Sequence, residues 1–443
     1  MEKNKKILKE VIMIVLIFFM SAIIFFYQTK KIGFHEDEMY TIASSVNPDN
    51  GLMSAYGEDN TPKWITKEYV KNYITLSHNN YFNLKSIYIN QALDNHPPFF
   101  YTLVHFSSIL FNGEFTKYNV FIVNIIAFIL SCFVIIKILK LLSKENLVIG
   151  TLIFYGLSMG TISMVIFQRM YMLLTFFILL YFYYNLKIYK EDFNLNKKIL
   201  IQLGIITILG FLTQYFFAIY AFLIFTLMII KMIKLKKDKE IILKYTISHI
   251  IYAVLGIALF IPCIYHLFFS SRGLSNLGNR NYFEHLYYYL KHLAYSFTIN
   301  NANPILMISS LILFFAGLLF LVKKSKDKFI IYLTIIPSIV YFFIVVKLTS
   351  FQELRYITPI IPFISITLFF ILDSLFKNLK YKNIIMIVIS IVLTLNGIIF
   401  SKPKFLFEEY TNCIDIAKQN SDKSFVYVYD NFFNHIQSMP EMM

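Results

Sequence analysis

Long apolar segments recur through this sequence, and short lysine-rich segments separate most of them. The first apolar segment runs from Val11 to Tyr27, and a helix needs about 20 such residues to cross the roughly 30 Å hydrocarbon core of a bilayer. The chain has 443 residues, of which 57% are hydrophobic and only 15% are charged, and its mean hydropathy is +0.61. Because soluble domains are far less apolar, we predict an all-α polytopic membrane protein.

The placement of the lysines predicts the orientation of the helices, since short cytoplasmic loops retain positive residues. Lysines cluster before the first apolar segment, and further clusters recur between later segments. This pattern predicts a multi-pass protein of the cell membrane with about eleven transmembrane helices, a cytoplasmic N-terminus and an extracytoplasmic C-terminus. The predicted spans are 11–27, 118–139, 147–166, 170–187, 199–214, 218–233, 246–264, 304–322, 329–346, 357–376 and 383–400.

Three regions are predicted to lie on the extracytoplasmic side. The membrane domain covers 1–400 and includes a long first outer loop, 28–117, in which 97–111 is too short to cross and is predicted to be an interfacial helix. The outer loop 265–303 is predicted to cover the substrate. The tail, 401–443, either packs on the membrane domain or belongs to a small domain that is incomplete.

Three consecutive carboxylates, Glu36, Asp37 and Glu38, follow the first predicted span at the rim of the membrane. Crowded like charges perturb one another's pKa values and need either cationic partners or a catalytic use. A solvated helix cap is the simpler interpretation. As a chemical site, the run offers a carboxylate base for a hydroxyl group, or oxygen ligands from Asp37 and Glu38 for a divalent cation. These alternatives remain open at the level of the sequence.

Only four of the 41 basic residues are arginines, and all four fall on the predicted outer side: Arg169, Arg272, Arg280 and Arg355. Lysine serves nearly every other cationic role in this chain, and arginine differs from it by a planar fork that fits phosphate or carboxylate. We therefore predict that the arginines bind a phosphate, with Arg169 and Arg355 as the main candidates. Anchoring a helix end at the lipid headgroups is the alternative for Arg272.

His96 stands in a second polar cluster of the first outer loop and precedes Pro97-Pro98, which restrict the backbone. Its imidazole can donate a hydrogen bond, carry a proton or bind a ligand, although a lone histidine is more often structural. Together with Glu36, Tyr171 and Tyr356 it completes the predicted substrate-binding residues. We find no nucleotide-binding loop and no metal-type Cys/His spacing, so no cofactor is certain and no nucleic-acid partner is expected.

These motifs together resemble the GT-C superfamily of glycosyltransferases that use polyprenyl-phosphate sugars. The similarity is greatest to bacterial members of glycosyltransferase family 39, relatives of protein O-mannosyltransferases and aminoarabinose transferases. It covers roughly residues 1–400 and rests on Asp37-Glu38, His96-Pro97-Pro98-Phe99-Phe100-Tyr101, Gln168-Arg169-Met170-Tyr171 and Arg355-Tyr356. The resemblance implies an inverting transfer at the outer face with Asp37 as the general base. Because Glu36 precedes the usual pair, Glu38 remains an alternative base.

The predicted activity is transfer of a hexose or pentose from a polyprenyl-phosphate donor to an envelope acceptor, which is a glycan, a teichoic acid or a protein. The leaving lipid monophosphate needs charge neutralisation, which arginine or a divalent cation supplies. A multi-span transporter or flippase of lipid-linked glycans is the main alternative, and a non-catalytic scaffold is another. Polar clusters at the outer rim, without a convincing internal repeat, favour the enzyme.

Overall fold

A computed structural model describes residues 2–48, 66–270, 281–297, 304–349 and 351–423 of the chain. These residues form helices and the loops between them, and they contain no strand. The α-helices, in chain order, are α1 (Glu2–Thr29), α2 (Glu36–Val46), α3 (Lys67–Ile74), α4 (Leu84–Leu93), α5 (Phe99–Leu110), α6 (Phe121–Leu141), α7 (Val148–Gly156), α8 (Met159–Ile166), α9 (Tyr171–Lys190), α10 (Lys197–Thr213), α11 (Phe216–Lys234), α12 (Lys239–Leu259), α13 (Cys263–Phe268), α14 (Tyr282–Ser296), α15 (Pro304–Lys324), α16 (Lys328–Leu348), α17 (Ile361–Leu375), α18 (Lys382–Phe400) and α19 (Thr411–Gln419).

Nine helices of the described chain are long and apolar enough to cross a membrane, and a tenth crossing is added if the bent pair α7 and α8 counts as one span. The prediction of an all-α polytopic fold is confirmed. The remaining member of the eleven predicted spans corresponds to α10, which has 17 residues. At 1.5 Å per residue it is about 26 Å long, so it nearly matches the thickness of the hydrocarbon core.

The predicted span 147–166 is bent rather than straight, because α7 and α8 meet at an angle of 59°. The Ser158 side chain starts α8 by accepting a hydrogen bond from the N–H of Thr161, as an N-cap residue does. Gly156, at the end of α7, lets the first span approach closely, since a Cβ there would lie 2.5 Å from the Met20 sulfur. The bend leads into the α8–α9 junction, which contains Arg169.

The spans differ in how much of their surface the protein itself covers. The span Leu354–Leu375, which includes α17, is 78% buried and α9 is 72% buried, whereas α1 and α12 are each only 17% buried. The poorly covered helices therefore leave much of their apolar surface exposed, as is typical of helices at the outside of a membrane protein. Arg355 stands at the start of the most enclosed span and Arg169 lies two residues before α9, so both arginines belong to the centre of the bundle.

The two ends of the bundle carry different polar groups. At one end, which we call the lysine end, the carboxylate of Asp373 accepts hydrogen bonds from Lys144 at 2.6 Å and from Lys382 at 2.8 Å. The opposite end, which we call the site end, holds the start of α2 and the α8–α9 junction. The acidic run and the two central arginines therefore share one end of the protein.

The described part of the first outer loop folds into the short helices α2 to α5, which cover the site end. Helix α5, at the position of the predicted interfacial helix, has 12 residues and is about 18 Å long, too short for a crossing. Its buried His105 bonds the carbonyl oxygen of Ser45 at 2.7 Å and that of Tyr81 at 2.9 Å. The contact with Ser45 joins α5 to α2, and the contact with Tyr81 joins α5 to the segment between α3 and α4; together they position the loop that carries His96.

Candidate active site

The acidic run forms the first turn of α2, where the helix dipole favours negative charge. His35 is the N-cap residue: its Nδ1 accepts a hydrogen bond from the N–H of Asp37 at 3.1 Å. The N–H of His35 in turn donates to the carboxylate of Glu38 at 2.7 Å, which completes a capping box. Glu38 therefore caps the helix, but as a buried carboxylate and not as the solvated cap of the simpler interpretation; the Asp37 carboxylate is left for other partners.

The carboxylate of Asp37 lies between the two central arginines. Oδ2 is ion-paired with Nη1 of Arg355, and Oδ1 lies 4.0 Å from Nη2 of Arg169. Burial alone would raise the pKa of Asp37, but the guanidinium groups of Arg355 and Arg169 outweigh it and hold this pKa well below its usual range. The side chain is still 21% exposed, so Asp37 is an ionised carboxylate within reach of a ligand.

Glu38 is enclosed completely, with 0% of its side chain exposed. Its two oxygens accept hydrogen bonds from Nζ of Lys31 at 3.0 Å and from the N–H of Gln168 at 2.7 Å, in addition to His35. Burial raises the pKa of Glu38, although the Lys31 ammonium opposes this. Because these partners already engage both oxygens, we assign Glu38 the role of holding α2 against the α8–α9 junction, in place of the catalytic role that the sequence suggested.

The guanidinium of Arg169 makes several hydrogen bonds, and the residue is only 3% exposed. Its Nη1 donates to the carbonyl oxygen of Asp37 at 3.1 Å, to Oγ1 of Thr41 at 2.9 Å and to the hydroxyl of Tyr101 at 3.1 Å, while Nη2 lies 3.0 Å from Nε2 of His96. Its Nε has no hydrogen-bond partner among the described residues. A buried guanidinium N–H without a partner is costly, so this donor is available to an anionic ligand.

His96 connects Arg169 to a second, partly buried carboxylate, that of Asp94. Nδ1 of His96 lies 2.8 Å from Oδ2 of Asp94. Because Arg169 can only donate, Nε2 of His96 must accept, and Nδ1–H therefore donates to Asp94. Burial lowers the pKa of His96 despite the opposing charge of Asp94, so the imidazole is neutral at pH 7. Asp94 lies two residues before His96 in the sequence, yet its function as the orienting partner becomes evident only from this contact.

Arg355 rests against aromatic rings and is 5% exposed. Its guanidinium carbon lies 5.5 Å from the ring centre of Phe167 and 5.0 Å from that of Tyr356, distances typical of cation–π contacts. Tyr171 packs edge-on against Tyr356 with ring centres 5.6 Å apart. Among the described residues, Nε of Arg355 also lacks a hydrogen-bond partner. The two predicted tyrosines thus support Arg355 and bring its fork to Asp37.

The tail contributes a segment, 402–407, that we call the strap because it crosses the site end. The carbonyl oxygen of Phe405 accepts a hydrogen bond from Lys31 at 2.6 Å, and its ring stacks on Phe167 with centres 4.2 Å apart. The N–H of Lys404 donates to Oγ of Ser163 at 3.0 Å. Phe405 and Phe407 have positive φ angles of 68° and 55°, which tertiary contacts must stabilise. Packing of the tail on the membrane domain was one of the two sequence-based alternatives, and the described part of the tail packs in this way; the contribution of Lys31 was not predicted.

Among the other predicted site residues that the structure describes, Glu36 takes no part in this cluster. The Glu36 side chain is 28% exposed, and its Oε1 lies 3.9 Å from Nε2 of His35. Burial raises the pKa of Glu36, and the negative charge of the neighbouring Asp37 raises it further. Arg272 and Arg280 lie outside the described residues. Of the loop 265–303, α14 packs into the protein: the Tyr289 hydroxyl lies 2.6 Å from Thr349 Oγ1. Its aromatic residues are therefore partly packing residues.

The donor set of the site does not fit a divalent cation. No group of three or more His, Cys, Asp or Glu side chains in the described residues can hold a metal ion. The two carboxylates that the sequence offered as ligands face cations instead, Asp37 facing Arg355 and Glu38 facing Lys31. A bound cation would have to displace these partners, so we derive no step that requires one.

Comparisons with known proteins identify the fold. No family model and no curated protein matches the chain. Crystal structures of ArnT from Cupriavidus metallidurans align with it, one bound to undecaprenyl phosphate (TM-score 0.58, 12% identity) and one in the apo state (TM-score 0.57, 11% identity). The alignments cover 100% of this chain and 85% and 84% of the ArnT chains. The protein therefore has a GT-C type fold.

Proposed function

We propose that the protein is an inverting glycosyltransferase that moves a sugar from a polyprenyl-phosphate donor to a hydroxyl group of an envelope acceptor. The lysine end faces the cytoplasm and the site end faces outward, in agreement with the positive-inside rule. The acceptor is a glycan, a teichoic acid or a protein. The resemblance to glycosyltransferase family 39 and the similarity in fold to ArnT, which was crystallised with undecaprenyl phosphate, support this class of donor.

The observation that carries the proposal is the position of Asp37 between two buried arginines. Each arginine has an Nε–H without a partner among the described residues, so each can donate to a phosphate oxygen. A carboxylate next to such a pair is suited to a reaction in which a phosphate leaves while a hydroxyl loses its proton. Aromatic rings and apolar helices surround the cluster, and this low-polarity environment strengthens the charge interactions.

The reaction is a single displacement. The acceptor oxygen forms a bond to the anomeric carbon on the face opposite the phosphate, and its proton passes to the Asp37 carboxylate. The bond between the anomeric carbon and the phosphate oxygen breaks, and its electron pair leaves with the polyprenyl phosphate. Attack from the opposite face inverts the anomeric configuration, as with a base-assisted water in inverting glycosidases. Arg355 and Arg169 neutralise the charge that develops on the leaving phosphate.

The Asp94–His96 pair orients Arg169 in this scheme. A neutral imidazole with its proton fixed on Nδ1 presents a lone pair at Nε2, which holds the Arg169 fork at 3.0 Å without adding a competing positive charge. Tyr101 and Thr41 hold the same guanidinium from the other side. This arrangement fixes the direction of Arg169 before the donor arrives, and such preorganisation lowers the cost of stabilising the leaving group.

A transporter places its functional charges near the middle of the membrane. In the described residues the arginine–aspartate cluster lies at the site end, at the starts of α2 and α9 and of the span Leu354–Leu375. This placement supports an enzyme over a transporter.

The experiment that tests the proposal compares envelope glycans by mass spectrometry in a deletion strain complemented with the wild type, Asp37→Asn or Glu114→Gln. Glu114 is an exposed acidic residue of the same outer loop, 3.7 Å from Lys71, so its variant matches the change of charge. We expect one sugar decoration to disappear on deletion and to return with the wild type and Glu114→Gln, but not with Asp37→Asn. Restoration by Asp37→Asn at equal protein levels would refute the mechanism.

A further inference from the structure

The candidate base and the candidate phosphate ligand neutralise each other in this structure. Oδ2 of Asp37 is ion-paired with Nη1 of Arg355, and Arg169 stands on the other side of the same carboxylate. A carboxylate clamped between two cations is a poor proton acceptor, because its negative charge is already stabilised. Likewise, a guanidinium that serves a carboxylate is less available to a phosphate. The Asp37 carboxylate must therefore leave Arg355 before a phosphate can bind there and the reaction can begin.

Only the side chain of Asp37 needs to move for this exchange. Its backbone is held by contacts that do not involve the carboxylate: the N–H donates to His35 Nδ1 at 3.1 Å, and the carbonyl oxygen accepts from Arg169 at 3.1 Å. The neighbouring Glu38 fixes the first turn of α2 through its bonds to Lys31 and Gln168. A new rotamer of Asp37 therefore leaves the helix start unchanged.

Arg355 is held in a way that permits the same exchange. The faces of its guanidinium rest on Phe167 and Tyr356, contacts that are tolerant of rotation. Its polar contacts among the described residues are the ion pair with Asp37 and a bond of 3.3 Å to the Tyr356 hydroxyl, while Nε has no hydrogen-bond partner among them. A phosphate that takes the Asp37 position at Nη1 can also reach the adjacent Nη2, which gives the end-on bidentate geometry of an arginine fork.

We propose that the donor phosphate displaces the Asp37 carboxylate from Arg355 and thereby frees the base, so that the donor must bind before the acceptor can react. This inference rests on the proposed function. We call the Asp37–Arg355 pair the latch. Without donor, Arg355 neutralises the Asp37 carboxylate and no acceptor hydroxyl is deprotonated. With donor bound, the phosphate pairs with Arg355 and the Asp37 side chain turns to the acceptor. Competition of two anions for one guanidinium thus makes donor binding a condition for activating the acceptor hydroxyl.

The latch predicts that removing the competing carboxylate improves phosphate binding. The experiment measures the dissociation constant of the purified full chain for undecaprenyl phosphate in detergent, by isothermal titration calorimetry, for the wild type, Asp37→Asn and Glu114→Gln. We expect Asp37→Asn to bind about tenfold more tightly or better, since a like charge beside the phosphate is removed. Glu114→Gln removes the same charge from an exposed position and is expected to stay within about twofold of the wild type, as surface charges are screened.

Equal or weaker binding by Asp37→Asn would overturn the latch and leave the proposed function intact, provided that the wild type binds and transfers sugar. Absence of binding by the wild type and both variants would refute the proposed function, and the latch with it. Product inhibition of the wild type gives a test that does not depend on any variant. The latch predicts that undecaprenyl phosphate competes with the donor, since both need Arg355, and inhibition that is not competitive with the donor would overturn it.

Discussion

The buried pair of Lys31 and Glu38 leads to a stability prediction with a defined pH dependence. Lys31→Met removes the ammonium and keeps the apolar stem, and Glu38, which is 0% exposed, retains only the backbone N–H groups of His35 and Gln168 as donors. Breaking a buried ion pair by removing one partner costs about 3–5 kcal/mol. We therefore expect the variant to be less stable than the wild type at neutral pH.

Protonation of Glu38 sets the size of this loss. An ordinary Glu pKa is 4.5. Keeping the Glu38 carboxyl protonated in the folded variant lowers the free energy of unfolding by about 1.36 kcal/mol for each pH unit above that value. The cost is therefore about 3.4 kcal/mol at pH 7 and about 0.7 kcal/mol at pH 5. The lost hydrogen bond to Phe405 adds about 1 kcal/mol at either pH. Burial already raises the pKa of Glu38, and loss of Lys31 raises it further. A raised pKa means that stability falls as pH rises from the unfolded-state pKa through the folded-state pKa.

Denaturant unfolding in mild detergent at pH 5 and pH 7 measures this difference. Because the wild type already carries part of the cost of a raised Glu38 pKa, Lys31→Met should lose up to about 4 kcal/mol relative to the wild type at pH 7 and up to about 2 kcal/mol at pH 5. Lys30→Met is the matched control, because Lys30 is the exposed neighbour whose ammonium lies over the Phe26 ring. A loss that is equal at the two pH values, or one no larger than that of Lys30→Met, would refute the reasoning.

Three further outcomes concern the reaction itself. Arg355→Lys should lower kcat/KM by about 10²–10³-fold, since an ammonium cannot reproduce the two-donor contact with phosphate; a change under tenfold in the transfer assay would contradict a phosphate role. The pKa of Asp37 is held well below its usual range, and the pKa of His96 is lowered from 6.5. We therefore expect kcat/KM to stay flat between about pH 6.5 and 8, because neither group changes its charge there. A protonation step in the profile with a pKa above 6.5 would contradict the assignment of a neutral His96. Chelation with EDTA should leave the rate within about twofold, because arginine supplies the charge neutralisation; loss restored by Mg²⁺ would reverse that assignment.

Hydropathy and lysine placement were sufficient to predict the helical framework, because a membrane span is a local property of about 20 residues. The bend between α7 and α8 was not predicted. Ser158 can act as an N-cap only where the helix is interrupted, and nothing in the sequence indicates an interruption at Leu157. The same reasoning explains why Asp37, Arg169 and Arg355 could be predicted to share one site. Each of them lies next to the end of a predicted span on the same side of the membrane, and the topology brings such positions into one region.

The pairing within the site could not be predicted in the same way. Lys31 resembles an ordinary flanking lysine, and nothing near it in sequence indicates that it reaches both Glu38 and the carbonyl of Phe405, 374 residues further along the chain. Glu38 and Asp37 are adjacent carboxylates of similar chemistry, so only their directions from the first turn of α2 distinguish a structural acid from an exposed one. Such directions are set by tertiary packing rather than by local sequence.

The most direct test of the central claim is sugar transfer by the purified chain from a synthetic polyprenyl-phosphate sugar, with product configuration read by NMR. The account predicts that the wild type releases one polyprenyl phosphate for each sugar transferred and inverts the anomeric carbon. It predicts that Asp37→Asn, while still binding undecaprenyl phosphate, is slower by about 10²–10⁴-fold, the usual range for losing a general base. Retention of configuration, or transfer by Asp37→Asn at the wild-type rate, would contradict it.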